Sequence, residues 1–389
     1  MNPSIFARPP IIFGLVWALV FIQFFLISVK KEIEIKIETT TLVFLSILGS
    51  FIAEKLFQRK YAVVRVALIN FSGLVSFKRL FTKIWVVGIL ATMAIQGGFP
   101  LLWKFIGDPR GYADFGIPTL NGGLVAIYII LNILTFRDYV LSRQRKDAVK
   151  LLLLFSYNII TMNRGLMVYL ILNLICVYLF FKSVSIKRFF ILAAFACGFI
   201  YLLNFIAENR SNQDQTIIRN YIAGSTEKHF EEGVFGDFQR GLHWLEIYSS
   251  APIANLNFNI DNIEPSYVPK HVFVGIFPSI VRDLIFGLSD KSYEDRYSLE
   301  MVDSAFNTFT FYASYLKDFG FSGCAGILVL VHSLANRFYQ LALSGRVGYS
   351  VGYCGIFAAI VLSPFTDFFG TLVLPAQLLI GVWLARRNI

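Results

Sequence analysis

Charged and Pro/Gly-rich breaks divide this chain into long apolar runs, and these constrain the fold more than any other feature. The runs lie near 11–29, 39–57, 83–102, 117–136, 148–162, 165–181, 189–206, 318–336, 347–363 and 368–385. A helix needs roughly 20 mostly apolar residues to cross about 30 Å of hydrocarbon, and several of these windows meet that requirement with few or no charges. Composition agrees: 56% of the 389 residues are hydrophobic and only 15% are charged, a balance no soluble domain of this size could keep in solution. The reading is an all-α polytopic membrane protein with about ten transmembrane helices, whose natural solvent partner is the lipid bilayer. The first run follows Arg8. It is too long for a signal-peptide core and has no small-residue cleavage site after it, so a retained first span is expected.

A net charge of +10 could suit nucleic acid, but the basic residues cluster in short loops between apolar runs, as the positive-inside rule describes. Loops near 59–83, 137–150 and 182–188 are rich in Lys and Arg, whereas the alternate short segments hold only Lys30, Lys31, Lys36, Lys104, Arg110 and Arg164. Both termini are therefore expected to be cytoplasmic, with no nucleic-acid partner. Residues 1–206 hold transmembrane helices 1–7, residues 207–305 form one large outer loop, and residues 306–389 hold helices 8–10. The loop runs from AENRSNQDQT through DNIEPSYVPKHVF to SDKSYEDRYSLE. Its pattern favours short helices separated by Pro and Gly, including one over 237–250. The segment 59–80 reads as an amphipathic helix along the inner surface or as a solvated loop.

The outer face carries the candidate chemistry. Arg164 sits in a tight NRG turn with no carboxylate nearby, and Arg210, Arg219, Arg240, Arg282 and Arg296 lie in the long loop, which is acidic overall. A guanidinium is always charged and presents a planar fork matched to phosphate oxygens, so this set suits a lipid-linked phosphate or pyrophosphate. Arginines among carboxylates can equally form structural ion pairs, and Arg164 could snorkel towards headgroups. Asp237, Arg240, His243 and Glu246 follow at three-residue steps, so neighbours can touch on a helix. His243 and Glu246, flanked by apolar and aromatic residues, are the candidate general bases. A surface helix with charge pairs would look the same. His229 and His271 read as isolated, and His332 as a structural residue near the inner end of a span. Tyr and Trp of the loop, such as Trp244, Tyr248, Tyr267, Tyr293 and Tyr297, could stack on sugar rings.

No HExxH or CxxC is present, and Cys176, Cys197, Cys324 and Cys354 all fall in apolar runs. Neither a zinc site nor a disulfide framework is expected. Glu32 and Glu34 in KKEIEIKIE are interleaved with lysines and read as a charge-balanced loop. Walker and dinucleotide motifs are missing as well, so no metal, nucleotide or other cofactor is expected.

Three patterns together resemble the bacterial oligosaccharide repeat-unit polymerases, the Wzy-type O-antigen polymerases. They are GGFPLLW followed by GIPTLNGG, NRGLMVYLIL, and NTFTFYASYLKDFGFSGCAGILVL. The resemblance runs from about Gly97 to Tyr339; its motifs are short and degenerate, and O-antigen ligases share the layout. It implies a GT-C-like, metal-independent membrane glycosyltransferase in the bacterial inner membrane, acting in lipopolysaccharide O-antigen or related polysaccharide biosynthesis. Such an enzyme transfers a growing glycan from undecaprenyl pyrophosphate to the non-reducing end of a new lipid-linked repeat unit. The implied partners are that lipid-linked oligosaccharide and a chain-length regulator protein. Arg164 matches the family's Ser-Arg-Gly turn with Asn163 in place of serine, and Asp318 with Gly320 matches its Asp-Phe-Gly-type segment. Tyr315 and Asp318 are thus further candidate site residues. No outer-face arginine is followed by glycine at the RX10G or RX15G spacing of some members. The alternatives are a ligase, or a flippase or transporter, which would show two matching halves and charges deep within spans.

Overall fold

A computed structural model describes residues 4–27, 35–57, 71–117, 120–182, 251–269, 271–272, 275–277 and 309–387, with single positions at 236, 239, 281, 284 and 299. Among the described residues every regular element is a helix. In chain order the helices are α1 (Pro9–Ile27), α2 (Ile37–Phe57), α3 (Phe71–Gln96), α4 (Pro100–Ile106), α5 (Leu120–Ser142), α6 (Arg145–Thr161) and α7 (Arg164–Phe181). They continue with α8 (251–259), α9 (Tyr312–Leu343), α10 (Val347–Leu362) and α11 (Val373–Arg386). Five stretches, α2, α3 with α4, α5, α7 and α9, are long and apolar enough to cross a membrane. The expected span at 189–206 lies outside the described residues. So does 59–70, but 71–80 is the first part of α3 rather than a separate surface helix. Its Lys78 is held by Asp138 of α5 at 2.8 Å, which lets the helix carry a cation before its apolar stretch begins.

Basic residues gather at the end of the bundle where α2, α5 and α11 finish and α6 and α10 begin; the opposite end is called the site end below. Central to the bundle is α10, buried on nearly every side, as befits a helix apolar all round. Small residues bring α11 against it. A Cβ on Gly348 would collide with the Gly381 carbonyl, and a Cβ on Gly381 would lie 2.6 Å from the Gly348 carbonyl. Without side chains at the crossing the two backbones touch, which is how helices gain contact where lipid is as apolar as the interface. A polar node then fixes the register. Fully buried Gln377 of α11 accepts from the Tyr169 hydroxyl of α7 at 3.1 Å. It donates to Asn173 at 3.0 Å and to the Val351 carbonyl at 2.8 Å.

The 32-residue length of α9 conceals a reversal. Gly320 has φ 65° and ψ −175° inside the helix, and Phe13 of α1 packs against both Phe311, at 6.4 Å between centroids, and His332, at 4.6 Å. Residues 21 positions apart would be about 31 Å apart on a straight helix. The chain therefore climbs as a half-helix over 312–319, turns back at Gly320, and spans the bundle over 321–343. His332 consequently sits midway along the spanning part, not near its inner end.

The turn 363–372 between α10 and α11 lies below the site end for a related reason. Helices of 16 and 14 residues reach only about 24 and 21 Å, short of the roughly 30 Å hydrocarbon thickness. Two bonds fix that depth: Trp17, midway along α1, donates its indole N–H to Ser363 at 3.1 Å, and Phe311 N donates to the Ser363 carbonyl at 3.0 Å. Of the residues of α8 only Phe258 is exposed. The helix is tied to the start of α2, because Asn257 Oδ1 accepts from Lys36 N at 2.7 Å and Thr39 Oγ1 at 3.0 Å, while Lys36 pairs with Asp261.

Candidate functional site

Three non-spanning pieces converge at the site end: the loop 260–277 that follows α8, the half-helix 312–319, and the turn 363–372. Ser266 N donates to the Lys317 carbonyl at 2.7 Å, which lays the loop along the half-helix. Pro265 Cγ would come within 3.3 Å of a Cβ at Gly320. Only glycine combines the left-handed φ with that close approach. On the other side, a Cβ on Gly275 would strike the Gly370 carbonyl, so the loop also rests against the turn.

Asp318 is the centre of this assembly. It is fully buried and accepts three hydrogen bonds, from His271 N at 3.0 Å, Val272 N at 2.8 Å and His271 Nδ1 at 2.6 Å. A buried carboxylate is tolerable only with such a complement of donors. The bond to Nδ1 has a chemical consequence: a neutral His271 carries its proton there, leaving the ring's lone pair on Nε2. Carboxylate-held imidazoles of this kind act as general bases towards hydroxyl groups, because the carboxylate sets the tautomer and stabilises the imidazolium that forms. His271, read from sequence as isolated, is therefore paired.

One helical turn before Asp318, on the same face, Ser314 donates to Asp367 at 3.0 Å, and Gly370 N donates to the same carboxylate at 3.0 Å. Two buried carboxylates, Asp318 and Asp367, thus flank the half-helix and the turn. The ring of Tyr315 is buried 5.7 Å from Phe311 and faces the packing. Tyr267 is 75% exposed above the kink with φ 53°, a left-handed conformation uncommon for an aromatic residue.

Arg164 begins α7 at the same end. Asn163 caps the helix by accepting from Leu166 N at 2.9 Å, and Met162 makes the preceding turn with φ 51°. One and a half turns further on, Tyr169 stacks on Phe368 of the 363–372 turn at 4.8 Å and 6°, so the head of α7 stands beside the site. Arg164 is half-buried and forms no hydrogen bond or ion pair with any described residue. Arg110 behaves differently. It pairs with Asp108 at 2.6 Å and covers Trp103 at 4.2 Å, and its guanidinium holds the Asp108 carboxyl down at about 2. The contrast separates a structural arginine from one with donors to offer.

His243, Glu246, Arg210, Arg219, Arg240, Arg282 and Arg296 lie outside the described residues, as do His229, Trp244, Tyr248, Tyr293 and Tyr297. Among the described residues no group of three or more His, Cys, Asp or Glu is placed to hold a metal. Cys176, Cys324 and Cys354 are buried free thiols. No known family, curated protein or solved structure matches the chain.

Proposed function

We propose that the chain is a glycan polymerase of the bacterial inner membrane. It transfers a growing oligosaccharide from undecaprenyl pyrophosphate to a new lipid-linked repeat unit at the outer face, to which this reading assigns the site end. The observation that carries this reading is the His271–Asp318 pair, 2.6 Å apart, at the end opposite the basic loops. In the reaction an acceptor hydroxyl oxygen bonds to the anomeric carbon of the donor sugar as the bond from that carbon to the pyrophosphate oxygen breaks. The hydroxyl proton passes to His271 Nε2, and the pyrophosphate leaves with the electron pair. Arg164 offers its fork to the departing charge. Loss of one such donor commonly costs about 10²–10³ in rate. His271 takes the role of base that the sequence reading gave to His243 and Glu246, and the exposed ring of Tyr267 provides a stacking face for a sugar.

The test is a deletion strain examined for its surface glycan ladder and complemented with His271→Gln or Asp318→Asn. A single capped repeat in the deletion and in both variants is expected. Loss of all capping would point to a ligase or flippase instead, and an intact ladder would refute the reading.

A further inference from the structure

Away from the site, the seam between α2 and the spanning part of α9 holds a set of buried polar atoms without partners. Ser50 Oγ, both ring nitrogens of His332 and Asn336 Oδ1 form no hydrogen bond, and all three residues are at most 1% exposed. Their residues form one patch, since Asn336 Nδ2 donates to the Ser50 carbonyl at 3.2 Å and, one helical turn back, to the His332 carbonyl at 2.9 Å. The edge-on ring of Phe13 closes the cluster at 4.6 Å from His332. An unsatisfied buried polar group costs about 1–3 kcal/mol. Four in one patch, where the other unpartnered atoms among the described residues (Trp85 Nε1, Trp103 Nε1, Asn158 Oδ1 and Thr310 Oγ1) belong to four further residues, indicate an occupant rather than tolerated loss.

We infer that this seam is an internal water-binding site. The groups that converge there choose the ligand. Neutral imidazole offers one N–H and one lone pair, the Ser50 hydroxyl donates and accepts, and Asn336 Oδ1 only accepts. A cation would be repelled by the converging donors, whereas water supplies both roles and typically makes about three hydrogen bonds when buried. The polar file continues in both directions along α2, where Ser46, Ser50 and Glu54 recur every four residues and so share a face. Towards the site, the Tyr312 hydroxyl donates to Ser46 Oγ at 2.9 Å. Towards the basic end, Glu54 takes a bidentate pair from Arg8 at 2.8 and 2.6 Å. Water at Ser50, His332 and Asn336 makes this a hydrated route from the Arg8–Glu54 pair to the middle of the bundle. The inference is independent of the proposed glycan chemistry.

X-ray hydroxyl-radical footprinting of the full-length protein in lipid nanodiscs tests it, because radicals form from bound water and modify the side chains beside it. His332 is expected to be oxidised at a rate comparable to that of exposed Tyr267, while buried Tyr169, whose hydroxyl donates to Gln377 at 3.1 Å, stays unmodified. In the Ser50→Ala/Asn336→Leu double variant the His332 modification is expected to be lost. Modification of His332 no faster than Tyr169, whether both are protected or both are labelled by general opening, overturns the inference. Should the double variant fail to fold, the wild-type comparison decides alone.

Discussion

Replacing Asp318 by asparagine isolates the chemistry of the pair from its architecture. Asp318→Ala would strand three buried donors, His271 N, Val272 N and the His271 ring N–H. At about 1–3 kcal/mol each the loss would reach about 3–9 kcal/mol, comparable to the whole 5–15 kcal/mol stability of a typical domain. Asparagine keeps the shape and one accepting oxygen. If that oxygen serves His271, the amide nitrogen opposes the Val272 N–H, one bond is lost, and the negative charge that would stabilise an imidazolium is gone. If the amide turns over, its N–H₂ faces His271 and forces the ring proton to Nε2, where the base can no longer accept. Either arrangement is expected to cost about 1–3 kcal/mol of stability and to lower the polymerisation rate by about 10²–10⁴, the usual contribution of a positioned general base.

The assay is the initial rate of chain extension by purified protein given lipid-linked repeat units, alongside a thermal melt and ¹⁵N NMR of the labelled histidine ring. A folded Asp318→Asn protein should show either a ring proton moved to Nε2 or an unchanged tautomer, and a slow rate in both cases. A folded variant whose rate stays within about threefold of wild type, less than about 0.7 kcal/mol in the barrier, would refute the reasoning.

Other perturbations address separate parts of the structure. Gly320→Ala places a Cβ at φ 65° and 3.3 Å from Pro265, and a cost of about 1–3 kcal/mol for a strained backbone should appear as a lower melting temperature and weaker activity together. Gly381→Val should block the α10–α11 crossing and abolish stable insertion, read as aggregation on size exclusion, since overpacking costs about 1–3 kcal/mol even where some adjustment is possible. Arg164→Ala should lower the rate by about 10²–10³ with an unchanged melt, and Arg164→Lys should restore only part of it because the fork is lost; a melt that falls with the rate would mark Arg164 as structural. Alanine variants of Arg210, Arg219, Arg240 and Arg282 that still insert should shorten the glycan ladder to a single repeat if these residues bind pyrophosphate, and unchanged ladders would remove them from the site.

Hydropathy made α1, α2, α5, α7, α10 and α11 legible because each buries its backbone bonds within one apolar helix and needs no partner to be recognised. It failed where depth and helix length part company. A span at 318–336 was expected from apolar content, but the chain uses 312–319 to climb, reverses at Gly320 and descends over 321–343. No hydropathy window registers that reversal, because both arms are apolar. The same limit applies to the His271–Asp318 pair. Half-helices and short helix pairs create a place below the surface where loop residues can be buried, and buried loop residues must find their partners across long sequence gaps. His271 lies 47 residues from Asp318, and Ser314 lies 53 from Asp367. Spacing rules that compare neighbours at three or four positions single out His243 and Glu246, which lie outside the described residues, and give no signal for His271, whose partner is distant.

One feature of the sequence does point to this pair. Asp367 stands alone in SPFTDFFG, across the short break between the apolar runs 347–363 and 368–385, and an isolated carboxylate between membrane segments points to a partner or a function. Following it leads from Asp367 to Ser314 and then, one helical turn away, to Asp318 and His271. The charged cluster of the longest loop lies outside the described residues, so the two signals address different parts of the chain. Charges in water have many ways to be satisfied, whereas a carboxylate at depth has few, and those few must be built by the fold.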